Sequence, residues 1–157
     1  MESISYALTV IISYMGIICG VLVAYIAKEE LKAGKKYFVF LQNLITAVII
    51  FLILGFFRVH LLLNTVFIIM FFVITSPLKF PKSYLLYPIF GVIMYLARIR
   101  TEEFVLIAVL VFMYGFPTAA LLSKFKKKGY LNSVLENWKV IMCHATFILF
   151  SLLIFLI

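Results

Sequence analysis

Gln42, Asn43, Thr46, Thr75, Thr118 and His144 are uncharged polar side chains set inside long apolar runs, all at a similar depth toward one end of those runs. Polar groups in such surroundings mark function by default, because each is costly in hydrocarbon unless it is paired. Hydroxyls, amides and one imidazole at a common depth can line a shallow pocket for a lipid headgroup or a small solute. The same groups can instead bond one helix to the next, at about 0.6 kcal/mol per pair in a bilayer. Ser76 lies beside the set, and Pro117 frees a backbone carbonyl one turn earlier, near Met113, that needs a donor.

Most other chemistry is excluded by residue type. The chain has no Asp, so an aspartyl protease dyad, an Asp-based metal site and an aspartyl-phosphate intermediate are ruled out. No Asp, Glu, Lys or Arg falls deep in an apolar run, which leaves no carboxylate there for proton coupling or acid-base work. The chain contains no HExxH, GxSxG, CxxC or GxGxxG, and Gly34-Lys35-Lys36 lacks the earlier glycine of a phosphate loop. Cys19 and Cys143 both lie in apolar runs, without metal spacing, and read as small hydrophobes. Arg58, His60, Arg98, Arg100, Glu102 and Glu103 form charged loop segments that read as a solvated rim. Neither a cofactor nor a metal site is expected.

The elements that position the polar set follow from composition. Of the 157 residues, 66% are apolar or aromatic and 13% charged, with a mean hydropathy of +1.22. A soluble domain carries about 25% charged residues, so the expectation is an integral membrane protein. A secretory leader would carry a basic segment ahead of its apolar core, and none precedes Ile4. A spanning helix takes about 20 apolar residues, and the apolar runs suggest an all-α bundle of six transmembrane helices. They cover about 4–27, 37–57, 61–78, 81–98, 104–122 and 140–157, in one transmembrane domain. The fourth is the shortest: Tyr84 to Ala97 gives 14 residues, and only a start at Pro81 and an end at Arg98 extends it to 18. The alternative is a re-entrant hairpin made of the third and fourth runs. Gly34 suits a C-cap after the first span.

Loop charge tests the count. Six crossings with both termini outside put Lys28, Lys32, Lys35, Lys36, Lys79, Lys82, Lys124, Lys126, Lys127, Lys128 and Lys139 on the cytoplasmic side, 11 of the 14 basic residues. Arg58, Arg98 and Arg100 remain outside. Without the fourth crossing the five lysines at 124–139 face outside and the count becomes 8 inside and 6 outside, a much weaker fit to the positive-inside rule. Tyr37, Tyr84, Tyr130 and Trp138 flank the inner loops as interfacial anchors. The net charge of +8 thus reads as orientation, not as a nucleic-acid interface. Lys124, Lys126, Lys127 and Lys128 are expected to meet anionic lipid headgroups. The following segment, 131–139, carries apolar residues at helical spacing and a Ser133–Glu136 capping box, predicting a short cytoplasmic interfacial helix ahead of the sixth span.

Gly16, Gly20 and Ala24 place a small residue at every fourth position of the first span. That spacing permits close helix packing, either within the chain or against a membrane-protein partner or second copy. The expected function is that of a non-enzymatic multi-pass subunit of the cell membrane that packs with partners. A carrier of small solutes or lipid with a cytoplasm-facing pocket is the alternative, and a lipid-modifying enzyme the third reading.

Overall fold

A computed structural model of the chain describes residues 3–75, 83–123 and 130–156. All of its regular structure is helical: α1 (Ser3–Ile26), α2 (Leu31–Phe56), α3 (Leu61–Thr75), α4 (Ser83–Ala97), α5 (Thr101–Leu122), α6 (Tyr130–His144) and α7 (Thr146–Leu156). Three stretches, Ile4–Ile26, Ala33–Phe56 and Thr101–Leu122, are long and apolar enough to cross a membrane. Leu61–Val73, Ser83–Ala97 and Asn137–Leu152 are apolar but shorter. Lys79, Lys82, Ser76, Lys124, Lys126, Lys127 and Lys128 lie outside the described residues.

The centre of the fold is the seam between α1 and α5. Gly16 and Gly20 face Phe112, Gly115 and Ala119, and a Cβ built on Gly16 would overlap the Phe112 backbone. A Cβ on Gly115 would in turn overlap the backbone of Gly16. The two main chains therefore touch, which is the packing that small residues make possible where no hydrophobic drive between helices exists. Ala24 is buried as well. The stripe on the first span is spent inside the chain, against the matching small pair Gly115 and Ala119.

Contact register gives the helix directions. Tyr6 packs on Phe104 with ring centroids 5.4 Å apart, and Gly20 lies against Ala119; numbers rise together, so α1 and α5 are parallel. Tyr6 donates to the Ser151 carbonyl at 3.0 Å, whereas Tyr14 donates to that of Ile141, so α6 and α7 run against α1. Gln42 meets Thr118 at 3.1 Å and Phe56 meets Arg100 at 5.1 Å, which makes α2 antiparallel to α5. Tyr84 stacks on His144 while Ser151 donates to the Gly91 carbonyl at 3.3 Å, so α4 is parallel to α7. Lys28, Glu29, Glu30 and Lys139 thus share one end of the bundle, and Arg58, Arg98 and Arg100 the other. α3 leaves the arginine end, and α4 starts at the lysine end.

Two local expectations are corrected. Gly34 does not cap α1: that helix stops at Ile26, a turn follows, and Gly34 is an interior residue of α2 without positive φ. A single glycine costs only about 1 kcal/mol in a helix, and Glu29 and Glu30 just ahead of α2 suit its N-terminal dipole. The segment 131–139 is not a separate interfacial helix either; α6 runs unbroken from Tyr130 to His144. No Pro or Gly stands at Lys139-Val140 to stop it. The interruption comes at Ala145, whose N–H is shared between the Ile141 and Met142 carbonyls, both at 3.1 Å. There the Thr146 hydroxyl takes the Cys143 carbonyl at 3.2 Å, the kind of side-chain competition that bends helices.

The turn between α2 and α3 has a defined cap. Val59 N–H bonds the Leu54 carbonyl at 3.0 Å and Arg58 N–H that of Gly55 at 2.9 Å, the paired bonds of a Schellman motif. Arg58 occupies its left-handed position, at φ 53°. α3 then folds back on α2, where buried Asn64 donates to the Phe51 carbonyl at 3.2 Å. Most of the rest of α3 is exposed apolar surface, such as Leu62, Val66 and Ile69.

Candidate functional site

Gln42 is the hinge of the polar set. Its amide nitrogen donates to the Tyr114 hydroxyl at 2.9 Å and to the Thr118 hydroxyl at 3.1 Å. Thr46, one turn on, donates to the Gln42 carbonyl at 2.8 Å, and both threonines are buried. Helical spacing explains the convergence: Gln42 and Thr46 share one face of α2, Tyr114 and Thr118 one face of α5. Gln42, Thr46 and Thr118 therefore come together as one cluster. Asn43 is half-buried and joins none of these bonds, because its neighbouring position on α2 points it round the helix. The side chain of Thr75 lies outside the described residues.

His144 joins the cluster through an aromatic neighbour. The Tyr87 ring stands 5.6 Å from that of Tyr114 and 4.7 Å from that of His144, edge-on to the imidazole. Tyr84 stacks on His144 at 4.8 Å, and Phe147 closes on Tyr87 at 6.0 Å. The imidazole is fully buried. Its Nδ1 lies 2.6 Å from the Val140 carbonyl, and since a carbonyl only accepts, Nδ1 carries the hydrogen and Nε2 the lone pair. Among the described residues this Nε2 has no hydrogen-bond partner, and neither does the buried Tyr87 hydroxyl. Tyr87 and Thr118 are neighbours whose hydroxyls do not reach hydrogen-bond geometry.

Tyr114 and Tyr87 are members of the site that the sequence alone does not single out. Tyr114 precedes Thr118 by one helical turn, a spacing that puts both on one face and is the signal that could have found it. Tyr84, expected as an interfacial anchor, is 40% exposed but also covers His144. Tyr37 and Trp138 are exposed. Among the described residues no three His, Cys, Asp or Glu side chains gather as metal ligands.

At the other end, Arg100 pairs with Glu103 at 3.2 Å on the exposed first turn of α5 and lies over the Phe56 ring. The two arginine-bearing loops, which sequence spacing leaves independent, therefore meet. Between α2, α3 and α4 lies a cavity of about 330 Å³, lined by Ile50, Ile53, Phe67, Phe71, Leu86 and Phe90 among other apolar residues. Phe90 also packs edge-on against Tyr114 at 4.9 Å, so this ring borders both the apolar cavity and the polar cluster. No family model, curated protein or solved structure matches the chain.

Proposed function

We propose that this chain is a six-span protein of the cell membrane, with both termini outside and the lysine-rich end in the cytoplasm, that works by holding a lipid or small amphipathic solute. Polarity supports the membrane reading: Ser13, Thr46, Asn64, Thr118, His144 and Ser151 are buried, while Leu, Ile, Val and Phe cover the outside. Such a distribution is unfavourable in water and natural in lipid. Alternating helix directions support six crossings over five, since losing one crossing would set α1 and α5 antiparallel. Charge supports the orientation: among the described residues the lysines gather at one end and the arginines at the other.

The observation that carries the binding role is the buried cluster at the lysine-rich end, which keeps polar atoms without partners beside an apolar cavity. Pockets for small molecules combine these two ingredients, apolar walls and a few polar groups. The partner-subunit reading loses its main sequence support, because Gly16 and Gly20 are packed against α5 and Ala24 is buried too. Lys124, Lys126, Lys127 and Lys128 keep their proposed role with anionic lipid at the inner surface. The test is mass spectrometry of the chain released intact from mild detergent, with thermal unfolding before and after delipidation. A retained lipid or solute is expected, whose removal lowers the melting temperature and whose return restores it. An empty protein with unchanged melting contradicts the binding role.

A further inference from the structure

His144 Nε2 and the Tyr87 hydroxyl are an acceptor and a donor, both without partners among the described residues, on two rings whose centroids lie 4.7 Å apart. Tyr87 is 1% exposed and His144 0%. Buried polar atoms in native proteins are nearly all bonded, to protein or to something bound. What can supply both missing partners is constrained by the chemistry of the two atoms. Nε2 needs a donor and the phenol needs an acceptor, and a hydroxyl group is both.

Charge narrows the choice. The ring partners of Tyr87 and His144 are Tyr84, Phe90, Tyr114 and Phe147, none of which balances an ionised head. A phosphate, carboxylate or ammonium group brought there would be buried uncompensated. The same aromatic walls suit a hydrocarbon body. Tyr84 forms one wall over the imidazole and is also 40% exposed. Displacing this ring opens the site to the outer surface of the bundle, the surface that faces lipid in the proposed six-span arrangement.

We infer that His144 and Tyr87 form the head-group site for an uncharged long-chain alcohol, bound through its hydroxyl. The inference rests on the proposed binding role and specifies its ligand class. The alcohol donates to Nε2 and accepts from the Tyr87 hydroxyl, while Nδ1 stays committed to Val140.

The test uses the full chain in mild detergent with four labelled probes: hexadecanol, hexadecane, hexadecanoate and hexadecylammonium. Hexadecanol is expected to bind at least tenfold tighter than the others and to raise the melting temperature. His144→Phe and Tyr87→Phe, which keep the rings, are each expected to weaken hexadecanol binding about tenfold, the size of one lost buried hydrogen bond. Neither is expected to alter hexadecane binding. Tyr87→Phe removes only the hydroxyl, so it decides the matter if the histidine variant fails to fold. Equal binding of hexadecanol and hexadecane overturns the inference, as does a Tyr87→Phe protein that binds hexadecanol like the parent. If a charged probe binds best, the binding role stands and the hydroxyl assignment falls; if none of the four binds, both fall.

Discussion

Gly16 and Gly115 touch backbone to backbone across the seam of α1 and α5, and neither has room for a Cβ. With Tyr6 on Phe104 at one end and Gly20 on Ala119 at the other, α1 and α5 are parallel, so the chain between them must run back along the bundle's length. Packing helices this closely gains dispersion contacts that lipid cannot supply.

A methyl group at this seam has nowhere to go. Gly115→Ala is expected to cost about 1–3 kcal/mol, the usual penalty for overpacking, read as a fall in unfolding midpoint in detergent. Gly55→Ala is the control, since a Cβ added there would meet nothing within 4 Å; a gain of about 0.5–1 kcal/mol is expected from the helix interior. Equal behaviour of the two variants contradicts the contact.

Arg58 sits in the left-handed conformation that closes α2. Left-handed backbone costs an L-residue about 1–2 kcal/mol, and glycine escapes the cost. Arg58→Gly is therefore expected to stabilise the protein by about 1 kcal/mol, and Arg58→Val to destabilise it. Chemical denaturation of the three proteins side by side checks the order. A less stable glycine variant contradicts the cap.

Gln42 and Tyr114 are expected to be energetically coupled. A double-mutant cycle with Gln42→Leu and Tyr114→Phe is expected to show about 0.6 kcal/mol of interaction, the bilayer average for such bonds. Asn43→Leu, outside the cluster, is expected to show no coupling to Tyr114→Phe. Additive effects at Gln42 and Tyr114 contradict the cluster.

Much of the architecture is legible in the sequence because apolar runs and charged breaks are local signals. Span limits near 4–27 and 104–122 track α1 and α5 for that reason. The site is legible only in part. Gln42, Thr46, Thr118 and His144 announce themselves as polar residues in apolar surroundings, but Tyr87 and Tyr114 are amphipathic and pass for ordinary packing residues. Asn64 belongs with the first group, since its position within an apolar run marks it in the same way. Which helix the Gly16 stripe meets is a tertiary fact, and only the matching Gly115 and Ala119 spacing hints at it. The boundary expected at Lys139-Val140 fails because a change in polarity along a helix is no signal to stop it.

The most direct test of the six-span arrangement is thiol accessibility in intact cells, using a chain with Cys19→Ala and Cys143→Ala as background. Single Lys28→Cys, Arg58→Cys and Arg100→Cys variants are exposed to a membrane-impermeant maleimide, then again after permeabilisation. Six crossings with the lysine end inside predict that Arg58→Cys and Arg100→Cys label in intact cells, and that Lys28→Cys labels only after permeabilisation. Labelling of Lys28→Cys from outside, or of Arg58→Cys and Arg100→Cys from opposite sides, contradicts it.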